Sequence, residues 1–226
     1  MPVRKIPPNR RVPTGYFYSH INARLIDCES PVERDFYQTL EDQGDIIEKY
    51  EEQPLKIEKR RNGKSIPLFP DCLITYKPWT KKRPCLVEIK TEEEIKDPGK
   101  TEEFKVDCDV LSAYAKEHNM DFKVVLDTDI RGQYLDNLKF LYKYRDKPGK
   151  LGEFKNIILT TVKTKGSITV SEILDILAKD KTERAHILPS IWHLLQIKAV
   201  KTDLHKPLTN SSPMEMNNEK TVDKER

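Results

Sequence analysis

Residues 69–91 read FPDCLITYKPWTKKRPCLVEIKT, two short apolar runs joined by a basic turn. Leu73, Ile74 and Tyr76 mark the first run, and Leu86, Val87 and Ile89 the second. Both have the length and composition of strands. Side chains alternate faces along a strand, which advances about 3.3 Å per residue. Glu88 and Lys90, two apart, therefore share one face, and Val87 and Ile89 take the other. Pro70 cannot donate to a ladder and suits a strand start or edge. With the two strands as neighbours, Asp71 lies beside Glu88, and two carboxylates and an ammonium occupy one small patch.

That patch has a definite chemistry. Paired carboxylates suit a hard cation such as Mg²⁺. A cation held there lowers the pKa of a bound water and neutralises charge building on a phosphoryl group. A lysine alongside can orient the water or stabilise the crowded phosphorus centre. Pro-Asp and Glu-x-Lys are each common as solvated surface when met alone. Their conjunction, PD and then ExK after the sixteen residues 72–87, is much less so. It resembles the PD-(D/E)xK nuclease site.

The rest of the chain sets bounds on this reading. A length of 226 residues allows one large domain or two small ones. Hydrophobic residues make up 37% and charged residues 34%, enough for a core under a highly charged surface. A net charge of +3 and a pI near 8.5 do not by themselves mark a nucleic-acid binder. Cys28, Cys72, Cys85 and Cys108 have no zinc spacing and read as reduced thiols of a cytosolic protein. No apolar run approaches the roughly 20 residues that span a bilayer, so no membrane partner is expected. The N-terminus has no apolar signal core.

Residues 1–14 hold four prolines and four basic residues, a flexible arm that is either a plain leader or a strap onto phosphates or a partner. Residues 15–27 show no clear period. From Ser30 a helix is marked by Ser30 as N-cap, Pro31 at the first helical position and Glu33 three residues after the cap. Phe36, Tyr37 and Leu40 share its face, and Gly44 closes it. Glu33 serves either as the capping-box acid alone or as a third carboxylate of the site. Asn62-Gly63 predicts a turn pairing a strand that ends near Lys59 with one that starts near Ile66. The turn around 79–84 offers Lys81, Lys82 and Arg83 to phosphates or to solvent. Residues 92–103 read as a polar loop or lid, broken at Pro98-Gly99. A helix over 104–116, a strand over 121–127 and a helix over 134–144 follow. Strand, helix and strand between Leu86 and Leu126 imply a parallel crossover and a mixed α/β sheet. The order is similar to a restriction-endonuclease-like core.

A linker at 147–150 opens a second domain. Helices over 153–162, 170–177 and 181–196, with an alternating wing over 197–208, resemble a winged helix. Its third helix offers only Lys181, Arg184, His186 and His193 as donors, so DNA reading and protein docking both stay open. Residues 209–226 have Met214, Met216 and Val222 as their apolar residues and read as a disordered tail. The expected organisation is thus an arm (1–14), a catalytic domain (15–146), a winged-helix-like domain (147–208) and a tail (209–226).

Ser30-Pro31-Val32-Glu33-Arg34-Asp35-Phe36, Pro70-Asp71 and Glu88-Ile89-Lys90 together resemble the TnsA family of transposon-end endonucleases over roughly 15–210. The resemblance implies that Glu33, Asp71, Glu88 and the Ile89 carbonyl bind two Mg²⁺ ions, replaceable by Mn²⁺, and that Lys90 serves catalysis. Some relatives carry Gln where Glu88 stands. It also implies cleavage of double-stranded DNA at the 5′ ends of a transposon, with a TnsB transposase as partner. A TnsC ATPase would be engaged through the C-terminal tail, in a bacterial cytoplasm. Gln133 and Lys105 are weaker candidates near the site, and Arg131 is a candidate DNA contact. Another nuclease of the same core, and a non-catalytic adaptor with a vestigial acidic patch, are the alternative readings.

Overall fold

The computed structural model describes residues 15–61, 63–145 and 151–218, with the backbone alone at 151–153. The basic arm 1–14, Asn62 of the predicted turn, the linker 147–150 and the tail end 219–226 lie outside the described residues. The chain divides into two units, the first ending at Arg131 and the second starting at Gly132.

The first unit begins with a ribbon of β1 (Gly15–Ser19) and β2 (Arg24–Cys28), where the sequence has no legible period. Helix α1 (Pro31–Glu41) starts as its sequence predicts, with Ser30 Oγ accepting from Glu33 N and Pro31 in the first turn. It ends at Asp42, two residues before Gly44. Strand β3 (Ile47–Glu52) is followed by the ribbon β4 (Ile57–Arg61) and β5 (Lys64–Leu68), in which Lys59 pairs with Ile66 as the Asn-Gly turn predicts. Strands β6 (Cys72–Tyr76) and β7 (Cys85–Lys90) pair antiparallel, with Cys72 opposite Val87.

The segment after Thr91 is a correction. In place of a loop or lid it forms α2 (Glu92–Lys96) and the start of α3 (Pro98–Glu117). Thr91 and Glu94 make a capping box. Asp97 caps α3 by accepting from Gly99 N, and Pro98 sits in the first turn, where its missing N–H costs nothing. Proline and glycine here open a helix; they do not break one. Strand β8 (Asp121–Leu126) then pairs parallel with β7, and the short α4 (Asp127–Ile130) ends the unit. The sheet order is β3-β6-β7-β8, a mixed sheet with one parallel pair at its edge. Helix α3 packs on β4, β7 and β8, sealing Leu86 and Leu111 completely. On the other side Tyr37 of α1 stacks on Tyr50 of β3 at 5.5 Å, both fully buried.

The second unit holds α5 (Gln133–Tyr142), α6 (Leu151–Lys165), β9 (Ser167–Thr169), α7 (Val170–Leu177), α8 (Lys181–Gln196), β10 (Val200–Lys201) and β11 (Pro213–Met216). Helix α5, which the sequence groups with the catalytic domain, packs on α8, and its Leu141 joins this unit's core with Val162, Ile191 and Trp192. Asn137 of α5 donates to the carbonyls of Leu204 and Lys206. Pro189 lies inside α8. The sheet order is β10-β11-β9, antiparallel throughout.

The tail is the second correction. Residues 213–216, read as part of a disordered end, form the central strand of this sheet, and Met214 is fully buried. Met214 cannot fold a tail by itself; it is fixed because β9 and β10 supply ladder partners on both edges. The alternating segment 197–208 contributes only the two-residue β10.

Candidate metal-assisted hydrolysis site

Continuing the β6–β7 register by one residue sets Asp71 opposite Glu88. Asp71 Oδ2 accepts from Ile89 N at 2.6 Å, which locks the carboxylate to the neighbouring strand. Lys90 Nζ donates to Glu88 Oε1 at 2.7 Å and to the Ile89 carbonyl at 3.2 Å, and lies 3.9 Å from Asp71 Oδ2. The structure thus brings together Asp71, Glu88, Ile89 and Lys90. The strand of the last three supplies the rigidity: β7 is buried from Cys85 to Ile89, and only its Lys90 is partly exposed.

Glu33 approaches from α1. Its carboxylate accepts from Ser30 Oγ at 3.0 Å and from Glu29 N at 2.8 Å, so it caps the residue before the expected Ser30 amide. No hydrogen bond joins it to Asp71 or Glu88 among the described contacts, but its charge acts on Asp71 and the charge of Lys90 acts on it. Burial pushes the Glu33 carboxyl up to about 7, against the hydrogen bonds from Glu29 and Ser30. Burial, and then the charge of Glu88, hold Asp71 well above the usual carboxylate range. Burial raises Glu88 as well, with Lys90 opposing. Burial lowers the Lys90 ammonium, but Asp71 and Glu88 raise it by more, so it stays charged.

Three acids with disfavoured charges around one ammonium make a site short of positive charge. Glu88 Oε2 is buried with no hydrogen-bond partner, the kind of orphan oxygen a divalent cation satisfies. At the present spacing no group of three or more His, Cys, Asp or Glu side chains forms a metal cage among the described residues. The Lys90 ammonium, in contact with Glu88, sits where it partly serves as the counter-charge. The donor set fits a hard cation in chemistry.

A folded-state value near 7 against the ordinary 4.5 means that native Glu33 keeps a proton which the unfolded chain has already released between those values. Glu33's own contribution to the stability of the metal-free protein therefore falls as pH rises from about 4.5 to about 7, then levels off. Glu33→Gln removes this slope. Urea titrations in chelator at pH 5 and pH 8 should show the variant gaining on wild type by up to about 3 kcal/mol over that range. A pH-independent difference would count against the protonated Glu33.

Two supports of Asp71 carry no local sequence signal. Its carbonyl accepts from Tyr37 OH at 3.2 Å and from Gln53 N at 3.1 Å. Gln53 is buried in the left-handed region at φ 39°, with an unpartnered Oε1. Only its place beside Pro54, just past a charged strand, could have drawn notice. Of the weaker candidates, Lys105 pairs with Glu102 on the surface, and Gln133 belongs to the second unit, where it donates to Asn137. Arg131 pairs with Asp35 and Asp127. The four cysteines are free thiols. No described helix is long and apolar enough to cross a membrane.

Two family models match the chain. TnsA-like endonuclease N terminal covers residues 44–127, including Asp71, Glu88 and Lys90, and TnsA endonuclease C terminal covers residues 129–204. Glu33 precedes the first match, and the junction between the two falls close to the division of the fold at Gly132. Among curated proteins none matches. The motif, the mixed sheet that carries it and the two consecutive matches agree, and the chain belongs to the TnsA endonuclease family.

Proposed function

We propose that this chain is a metal-dependent DNA endonuclease that hydrolyses phosphodiester bonds at the 5′ ends of a transposon. The observation that carries the reading is the partly buried Asp71–Glu88–Lys90 cluster, with its orphan Glu88 oxygen, in a chain of this family. Glu33, Asp71, Glu88 and the Ile89 carbonyl would hold two Mg²⁺ ions, with Mn²⁺ able to replace them. Bound there, the cations would supply an activated water and neutralise phosphoryl charge. Ile89 N–H holds the Asp71 carboxylate in place. The charged Lys90 ammonium, one of the few partly exposed groups of the cluster, positions the attacking water or a phosphate oxygen.

The second unit is read as a winged helix. From α6 onward, its order of helix, strand, two helices and two strands, with the last strand central, supports that assignment. On α8, Arg184 is paired with Asp175, and a ring nitrogen of His193 lies 2.7 Å from the Tyr144 carbonyl. Few donors remain for base reading, which favours a docking module. The partners would be a TnsB transposase, cutting the 3′ ends, and a TnsC ATPase reached through the C-terminal segment.

Nicking of labelled transposon-end duplexes, with Mg²⁺ or Mn²⁺ and with or without both partners, tests the reading. Cleavage of the 5′ strand, abolished by chelator, is the expected result. An adaptor without nuclease activity would leave both strands intact under every condition and would bind neither metal in calorimetry.

A further inference from the structure

The turn between β6 and β7 lies at the far end of these strands from Asp71 and Glu88, about five residues or roughly 16 Å along the sheet. Residues 77–87 contain no acidic residue, and they hold Lys77, Lys81, Lys82 and Arg83. Of these, Lys81, Lys82 and Arg83 are exposed. Trp79, of a residue type highly buried on average, is 43% exposed between them.

Solvated charge runs are ordinarily loose, but this one is built. Thr80 N and Thr80 Oγ1 both donate to the Lys77 carbonyl, at 3.0 and 2.8 Å. Lys81 N donates to Pro78 O, and Lys82 N to Thr80 Oγ1. Lys81 is held in the left-handed region at φ 55°, an arrangement that a non-glycine residue adopts only when its surroundings fix it. The cations are laid over rings: Lys77 Nζ is 5.3 Å from the Trp79 ring centroid and Lys82 Nζ is 5.2 Å from that of Tyr76. Arg83 is anchored to Asp121 of β8, which offsets one charge and leaves the turn a net donor of positive charge. A backbone so fixed loses little freedom on binding.

We propose that the turn 77–84 is a second nucleic-acid contact, separate from the candidate catalytic cluster. Lys81, Lys82 and Arg83 meet backbone phosphates there, and the Trp79 indole packs on a sugar or an unstacked base of the same strand. Cations interleaved with an exposed aromatic ring match a sugar–phosphate chain. An acidic protein segment would use the charges alone. The inference rests on the proposed DNA substrate and adds where that substrate is gripped.

The test is anisotropy of labelled duplex and single-stranded DNA with the full chain in chelator, over a range of salt. Lys81→Ala/Lys82→Ala is expected to weaken binding about tenfold and to flatten the log–log salt slope by about 1.8, at roughly 0.9 per phosphate. Trp79→Ala should weaken binding about tenfold on the single strand with little change of slope. Lys81→Arg/Lys82→Arg should restore affinity and slope. Alanine variants with wild-type affinity and slope overturn the inference, including the case in which the turn docks an acidic protein. A wild-type chain that binds neither form of DNA at low salt overturns the proposed function itself.

Discussion

Asp71→Ala should cut transposon-end DNA at least about a thousandfold more slowly than the wild-type chain while keeping its fold. The carboxylate faces Glu88 across the β6–β7 ladder, accepts from Ile89 N and lies near Lys90. If Asp71 shares in holding a cation as proposed, its loss removes several kcal/mol of transition-state stabilisation, and each 1.36 kcal/mol is about tenfold in rate. Folding should suffer little, because burial already disfavours the charge on Asp71. Asp71→Asn keeps an acceptor for the Ile89 amide and lacks the charge, so it should be equally inactive and at least as stable without metal. Single-turnover nicking rates beside melting temperatures measure both. Retained cutting by the asparagine variant would falsify the assignment of Asp71.

Glu41→Ala should be among the most destabilising single changes in the first unit, at about 3–5 kcal/mol. Glu41, at the end of α1, is 5% exposed. Its carboxylate accepts from Ser19 Oγ at 2.6 Å, Tyr50 OH at 2.9 Å, His20 N at 3.0 Å and Ile21 N at 3.4 Å. One side chain thus ties α1 to the β1–β2 turn and to β3. Truncation strands several donors in a dry place, each costing about 1–3 kcal/mol if nothing replaces the acceptor. Glu41→Gln retains one acceptor oxygen and should lose about half as much. Denaturant midpoints with unchanged slopes read the effect. A loss under about 1 kcal/mol for the alanine variant would mean that water takes over the carboxylate's role.

What could be read from the chain alone follows from how local the cause is. The α1 start, the β4–β5 pairing and the strand pair around Asp71 and Glu88 rest on neighbours in sequence, and the structure reproduces them. The parallel β7–β8 pair follows from one strand-helix-strand period. Glu41 had no such mark: it is one acid among 37 acidic residues, and its role depends on donors about twenty residues away. The contact between Gln53 and Asp71 is equally long-range. Pro98-Gly99 misled because the same pair that ends a helix also begins one when an aspartate precedes it as cap. Strand β11 was illegible because four residues, PMEM, have no period long enough to count, and both neighbours that order them lie far upstream or across a loop.

The place of Met214 in the middle of the second sheet bears on how shortened versions of this chain are to be interpreted. Ending the polypeptide at 208, the natural cut for a presumed dispensable tail, withdraws the middle stave and exposes the apolar interior behind it. Failure of such a clipped protein to bind the proposed ATPase partner would then report a collapsed module, and only cuts beyond Asn217 can test the proposed docking peptide.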